Sequence, residues 1–408
     1  MADQSRYIII GGGQAGGWAA ATMRKQGFEG DVVLFAGENY MPYERPPLSK
    51  SVLLGEAEIE ITYLRDNSFY EEANIQLRLG ARVTALDCGK NIINIEGGEQ
   101  LDYERLLLAT GSDVRRLPIP GDELEGVYYL RGIDDMLALK QKLVKGAKIV
   151  VIGAGFIGLE VAAAAAKLGA QVSVIEVQNT ILNRVVDEEV AARVAREHNE
   201  HGVKLLTNTG VNAIVGDGHA RAVTLSNGEE ITADAVVVGI GVIPNADLAE
   251  QAGIKVENGI VVNEYGETSA PNVYAAGDVT NHYNPLYDRR LRLESWQNAQ
   301  DQAIAVARVM CDQREPYSAV PWFWSDQYAM NLQMAGVVDI FDEAVLRPGE
   351  DGTLLKFYLK DSRIMGAVGV NRGRDIMVVR RMITKGVSAS ANELANPAIE
   401  LRSLGKNN

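Results

Sequence analysis

Two glycine-rich stretches carry the clearest chemistry in this sequence. Gly11-Gly12-Gly13-Gln14-Ala15-Gly16 follows the β-branched run Tyr7-Ile8-Ile9-Ile10, opens an Ala-rich helix ending near Gly27, and precedes a strand over Asp31–Phe35. Gly153-Ala154-Gly155-Phe156-Ile157-Gly158 follows a strand over Lys148–Ile152, opens a second Ala-rich helix to Gly169, and precedes a strand over Gln171–Glu176. Strand, turn, helix and second strand are the context that separates a dinucleotide-binding fingerprint from a chance glycine turn. In such a fingerprint the first glycine permits the tight turn, the second lets the backbone approach a pyrophosphate, and the third lets helix and strand pack closely. Those roles fall to Gly11 and Gly153, Gly13 and Gly155, and Gly16 and Gly158. The helix N-terminus then presents free N–H groups and a partial positive charge to the phosphates.

An acid at the end of the second strand selects the nucleotide. Glu176 lies 18 residues past Gly158, where a carboxylate accepts from adenosine ribose hydroxyls. It would repel a 2′-phosphate, so NADH is expected over NADPH, with Arg184 as the one nearby cation. Glu38 takes the equivalent place in the first unit. Two fingerprints imply two dinucleotides: a resident FAD and an exchangeable NADH, because a hydride needs both donor and acceptor. Asp278, in the turn Ala276-Gly277-Asp278, is expected to accept from the ribityl chain.

These residues need a frame of elements. The first glycines of the two units are 142 residues apart, a domain-sized spacing and not a short repeat. Leu106–Gly111 reads as a buried strand whose closing turn places Thr110 and Gly111 among the cofactor-facing positions. Ala235–Gly241 is a second such strand, and Asn272–Asp278 a third whose tip carries the acid. Val114–Gly121, with Pro118 and Pro120, reads as a linker. From about Pro321 the chain turns to clustered Trp and alternating β-rich segments such as Leu354–Leu359 and Ile364–Val370. The expected class is α/β, with two doubly wound dinucleotide-binding domains, at 1–112 with 245–320 and at 113–244, and an α+β domain at 321–408.

Further distinctive segments are Pro42-Tyr43-Glu44-Arg45-Pro46-Pro47-Leu48-Ser49-Lys50, Ala275-Ala276-Gly277-Asp278, Glu294-Ser295-Trp296-Gln297-Asn298-Ala299 and Pro321-Trp322-Phe323-Trp324-Ser325-Asp326-Gln327. With these and the paired fingerprints, the chain resembles the FAD-dependent NADH:ferredoxin reductases of bacterial oxygenase systems. The resemblance runs from Tyr7 to about Asp375. It implies a glutathione-reductase-like fold with a mixed C-terminal sheet. It also implies FAD contacts from Ala15, Glu38, Arg45, Lys50, Val83, Arg131, Asp278 and Trp296, with Trp324 beside the isoalloxazine. Phe156, Ile157, Glu160, Glu176 and Arg184 would contact NADH, with Gly241 near the nicotinamide. Lys50 and Glu160, brought in by the resemblance, are expected to form an ion pair near the flavin, where a cation favours the anionic reduced ring. Electrons would pass from NADH through FAD to a [2Fe–2S] ferredoxin that feeds a cytochrome P-450 or Rieske oxygenase. Where many relatives read Asn-Arg-Pro-x-Asp, this chain has Asn371-Arg372-Gly373-Arg374-Asp375, which is expected to loosen that loop.

Other classes are disfavoured. A net charge of −14 argues against nucleic acid or anionic membrane as partner. No run reaches the roughly 18 apolar residues of a membrane span, and Met1–Ile10 lacks the pattern of a secretory leader; a cytoplasmic monomer or homodimer is expected. Cys88 and Cys311 form no Cys-x-x-Cys pair, which disfavours a flavin disulfide or peroxide reductase. A redox-sensing interaction protein resembling apoptosis-inducing factor and a rubredoxin reductase are the competing readings. No metal site is expected: His198 and His201, a His-x-x-His pair, read as a solvated helix end before Gly202. Residues 321–408 hold 11 Lys/Arg against 10 Asp/Glu while the remainder carries −15. A docking face for an acidic ferredoxin is therefore expected at Arg372, Arg374, Arg380 and Arg381, or at Arg289-Arg290-Arg292.

Overall fold

A computed structural model describes residues 5–350 and 352–404. The chain divides into two compact units. The first comprises Met1–Arg45, Ile59–Asp113 and Ile243–Ala319; the second comprises Pro46–Glu58, Val114–Val242 and Val320–Asn408. The C-terminal segment, expected as a separate domain, thus shares a unit with the second nucleotide fold, as does the short stretch that carries Lys50.

In the first unit, five parallel strands lie in the order Val273–Ala275, Arg105–Leu108, Arg6–Ile10, Asp31–Phe35, Ile75–Arg78. Such strands are buried on both faces, which is why they read as unbroken apolar runs. Side-chain alternation sorts them into two layers. Ile9, Leu34 and Leu107 pack with Ala19, Ala20 and Met23 of the helix Gln14–Lys25 and with Val306 and Met310 of the helix Trp296–Met310. Ile8, Val33, Phe35, Leu106 and Leu108 pack on the opposite side with Val83, Ile93 and Ile95 of a three-stranded antiparallel sheet. The registers Ile10↔Phe35 and Ile10↔Leu108 bring the C-terminal strand ends level. Both the Gly11 turn and the Gly277-Asp278 turn leave from that edge, where ligands of open α/β sheets bind.

The second unit repeats the plan. Its parallel order is Lys204–Leu206, Gln171–Ile175, Lys148–Ile152, Ala235–Val238, Val127–Tyr128. The helix Phe156–Lys167 packs on this sheet through small side chains, Val161 to Ala165 all being buried. The C-terminal sheet runs Trp322–Gln327, Met330–Gly336, Arg363–Val370, Leu354–Lys360, Glu343–Arg347. It is antiparallel throughout, not mixed as expected, because tight hairpins join its sequential neighbours, as at Gln327↔Met330 and Lys360↔Arg363.

The Asn371–Asp375 segment is not a loose loop. Asn331 and Asn371 exchange two hydrogen bonds of 2.8 Å, and Gly373 opens the helix Gly373–Thr384. A Cβ on Gly373 would meet Gln333 Nε2 at 2.6 Å, so glycine here permits close packing. Among the described residues no helix is long and apolar enough to cross a membrane.

Candidate active site

The glycines of the first fingerprint are not equivalent. Gly11 has φ +123°, and a Cβ there would lie 2.0 Å from the Ala109 carbonyl oxygen; one on Gly16 would lie 1.9 Å from the Gly11 oxygen. The protein's own backbone demands glycine at both positions. Gly13 differs: its φ of −90° and ψ of −164° suit any residue, and a Cβ there meets nothing within 4 Å. The second fingerprint behaves alike. Cβ atoms on Gly153 and Gly158 would sit 2.5 Å from the Gly239 oxygen and 2.2 Å from the Gly153 oxygen. Gly155 is extended, and its nearest neighbour would be 3.8 Å away. Nothing in the protein requires the middle glycine of either unit. A ligand pressed against the backbone would, and neither helix has a side-chain N-cap to occupy its first-turn N–H groups. Both cradles therefore fit a pyrophosphate. In the first, Gln14 Oε1 is buried without a hydrogen-bond partner among the described residues, an orphaned acceptor at the cradle rim.

Around the first cradle, Glu38 accepts from Arg45 Nη2 at 3.0 Å. A Cβ on Gly277, φ +86°, would lie 3.1 Å from Ala15 Cβ, so this turn, with Asp278 next in sequence, passes beside the fingerprint. Ser112 Oγ donates to Asp278 Oδ2 at 3.4 Å. Thr110 Oγ1 donates to the Asn245 carbonyl, and Gly111 turns at φ +67°. Trp296 opens its helix, and burial pushes the Glu44 carboxyl above the usual range. Val83 is buried. Lys50, Arg131 and Trp324, the remaining residues of the expected flavin set, belong to the second unit.

In the second cradle, Glu176 Oε2 accepts from the Ala154 N–H and Oε1 from the Gln178 N–H, each at 2.9 Å. The carboxylate is thereby locked to the fingerprint turn with one lone pair per oxygen to spare. Ile157, in the first turn of the fingerprint helix, and the unanticipated Val177, next after Glu176, are 46% and 65% exposed. Arg184 is exposed, and Gly241 turns at φ +103°. Phe156 packs on Phe323 at 4.3 Å.

Lys50 and Glu160 come together in the second unit. Lys50 Nζ donates to Glu160 Oε2 at 2.7 Å, with side-chain exposures of 19% and 2%. Ser49 Oγ donates to the same oxygen, and Ser325 Oγ donates to Oε1 at 2.6 Å. A carboxylate this deep costs several kcal/mol to desolvate unless it is paired and fully hydrogen-bonded. Sequence reading identified the ion pair but not the two serines. The signal for Ser325 was available: in a strand, alternate residues face opposite ways. Trp322 and Trp324 stack at 5.0 Å on one face of Trp322–Gln327, while Phe323, Ser325 and Gln327 take the other.

His198 departs most from expectation. It is not a solvated helix end but fully buried, hydrogen-bonded by Nε2 to Gln327 Oε1 at 2.7 Å. The amphipathic helix Glu188–Glu200 turns its Val190, Val194 and His198 stripe inward. No cluster of three or more metal-ligating side chains occurs among the described residues. The arginine patches are also partly committed. Arg290 donates to the Val262 and Asn281 carbonyls, Arg292 pairs with Glu294, Arg372 pairs with Asp375, and Arg380 stacks over Trp322. Arg374 and Arg381 are exposed. Burial pushes both the Cys88 and Cys311 thiols up, opposite to what a reactive thiolate needs.

Known proteins share this architecture. The family model described as pyridine nucleotide-disulphide oxidoreductase matches residues 5–303, and one described as reductase C-terminal matches residues 322–405. Rhodocoxin reductase of Rhodococcus erythropolis is 40% identical over 397 residues, covering 97% of this chain and 93% of that protein. The ferredoxin–NAD(+) reductase component of the anthranilate 1,2-dioxygenase system of Burkholderia cepacia is 39% identical over 399 residues, covering 97% and 98%. The solved covalent putidaredoxin reductase–putidaredoxin complex matches with a TM-score of 0.96 at 36% identity, covering 99% of this chain and 98% of that one. With both cradles, the C-terminal sheet and these relatives in agreement along nearly its whole length, the chain belongs to the pyridine nucleotide-disulphide oxidoreductase family, among its ferredoxin–NAD reductases.

Proposed function

We propose that this chain is a cytoplasmic NADH-dependent ferredoxin reductase that passes electrons through FAD to a [2Fe–2S] ferredoxin of an oxygenase system. The observation that carries this reading is the pair of middle glycines, Gly13 and Gly155, which nothing in the fold requires and which leave both helix N-termini open to a pyrophosphate. FAD supplies the chemistry that takes a hydride from NADH and releases electrons singly. Each NADH oxidised reduces two ferredoxins and leaves one proton.

The protein's part is to bind, orient and hold charge. Gly11, Gly13, Ala15 and Gly16 seat the FAD pyrophosphate, with Glu38 and Arg45 at the adenosine end and Asp278 toward the ribityl chain. Thr110, Gly111, Val83 and Trp296 line the same cradle. Gly153, Gly155, Phe156, Ile157 and Gly158 seat NADH, and Gly241 marks the nicotinamide end. Glu176 accepts from ribose hydroxyls with its remaining lone pairs and repels a 2′-phosphate, so NADPH is the poorer donor. Lys50 holds its proton on Nζ against Glu160 Oε2, keeping a cation where reduced flavin carries negative charge. Arg131 and Trp324 complete the flavin set. Arg374 and Arg381, seven residues apart on one helix face, offer cations to an acidic ferredoxin.

Anaerobic stopped-flow mixing with NADH, then with a [2Fe–2S] ferredoxin, tests this. Fast flavin bleaching by NADH, slower bleaching by NADPH and rapid reoxidation by ferredoxin are expected. A long-lived reduced state that ferredoxins fail to discharge would overturn the reading. Arg374→Glu should raise the ferredoxin KM at low salt; no change would remove this face from the account.

A further inference from the structure

The buried His198 ends a line of hydrogen bonds that leads to Glu160. Tyr328 Oη lies 3.3 Å from His198 Nδ1, and His198 Nε2 lies 2.7 Å from Gln327 Oε1. Gln327 Nε2 donates to Ser325 Oγ at 3.0 Å, and Ser325 Oγ donates to Glu160 Oε1 at 2.6 Å. His198, Gln327 and Ser325 are each at most 1% exposed, so the line from His198 to Glu160 is closed to water, and all its members lie in the second unit.

The carboxylate sets the direction of these bonds. Glu160 Oε1 accepts the Ser325 proton, so Ser325 Oγ accepts in turn from Gln327 Nε2, which leaves Gln327 Oε1 facing His198 and places the imidazole proton on Nε2. Nδ1 is then a bare lone pair, and the Tyr328 hydroxyl is the donor that meets it. Every donor therefore points toward Glu160. Were the proton on Nδ1, the amide of Gln327 would turn over, the Ser325 hydroxyl would donate to Gln327 Oε1, and Glu160 Oε1 would lose its donor. The imidazole tautomer thus decides what Glu160 receives three side chains away.

Two features hold that tautomer. Tyr328 sits at φ +57° in the two-residue turn between Gln327 and Met330, a backbone state that costs an aromatic residue free energy. His201 stacks on the Tyr328 ring at 3.7 Å and so pins the phenol. The charged and titratable groups facing His198 are Glu197, His201 and Tyr328; burial lowers the imidazole's proton affinity and keeps it neutral.

We propose that His198 is a positioning residue for the Glu160 carboxylate, acting through Gln327 and Ser325. This rests on the reading that the Lys50–Glu160 pair serves hydride transfer.

The test uses the holoenzyme. ¹⁵N spectra of the imidazoles, with the His198 signal identified by its loss in His198→Gln, should show the neutral Nε2–H tautomer, and Tyr328→Phe should admit the other one. Gln327→Glu keeps the shape but makes both oxygens acceptors, so Ser325 turns away from Glu160. His198→Phe removes the Nε2 donor. Each should slow flavin reduction by NADH about tenfold, the loss of one charge-assisted hydrogen bond, with the NADH Kd unchanged. His198→Gln, which keeps an N–H at the Nε2 position, should stay within about twofold of the parent. In a Glu160→Gln background the His198 and Gln327 changes should add less than about twofold. An Nδ1–H tautomer in the parent, or undiminished effects in that background, would overturn the inference. Glu160→Gln leaving the rate unchanged would sink the ion-pair reading beneath it. A slow Glu160→Gln with normal His198 and Gln327 variants would sink this inference alone.

Discussion

The two nucleotide cradles share their glycines and differ in how they hold the acid. Glu38 in the first is gripped by a guanidinium, Arg45 Nη2, and both partners are partly exposed. Glu176 in the second is gripped by two backbone N–H groups, one of them in the fingerprint turn itself. A side-chain partner can move with a cofactor that is bound once and kept. Backbone donors give a fixed acceptor, which suits a ligand that arrives and leaves at every turnover. The buried histidines differ too. His198 in the second unit is hydrogen-bonded on both nitrogens, whereas His282 in the first has no partner for either nitrogen among the described residues.

The contrast between fold-required and ligand-required glycines breaks first at the turns. Gly11→Ala and Gly153→Ala should cost more than about 3 kcal/mol or give no folded protein, since both combine positive φ with a backbone clash. Denaturant melts check this. The buried histidines come next. Burial, with Arg290 nearby, drops His282 to about 4, below its unfolded value of 6.5. The unfolded chain therefore binds the extra proton between those values, and stability falls as pH drops from 6.5 toward 4 by ~3 kcal/mol. His282→Phe should remove that share of the slope and be near neutral at pH 7, because no hydrogen bond is lost. His198→Phe should destabilise at pH 7 by about 1–3 kcal/mol, since Gln327 loses its donor.

Gly155→Ala sharpens the comparison further. Stability and flavin content should be unchanged while the NADH KM rises about tenfold or more, a loss of ~1.4 kcal/mol in binding. Gly13→Ala should mirror it, with normal apoprotein stability and weakened FAD retention. Equal destabilisation by Gly13→Ala and Gly11→Ala would erase the distinction. The smallest effect should come at the first acid: Glu38→Gln costs under about 1 kcal/mol of stability, as expected for a half-exposed pair.

Much of the frame was legible in the sequence because its signals are local. Asp31–Phe35 and Lys148–Ile152 are strands at the expected bounds. The positive φ of Gly11 and Gly153 follows from turn chemistry within six residues. The ion pair of Lys50 and Glu160 rested on family resemblance, since 110 residues separate its members. The antiparallel C-terminal sheet was misread because strand direction depends on which neighbours pair.

What the sequence determined by itself is the pair of strand–glycine–helix units and, through the acid after each, the class of ligand; these depend on steric and electrostatic rules acting over a few residues. Only the tertiary structure shows that the fold itself makes no steric demand for glycine at Gly13 and Gly155. It alone brought Ser49, Ser325 and Gln327 to the buried end of Glu160 and turned His198 inward. Burial and hydrogen-bond direction are properties of which distant segments meet, and no local pattern encodes them.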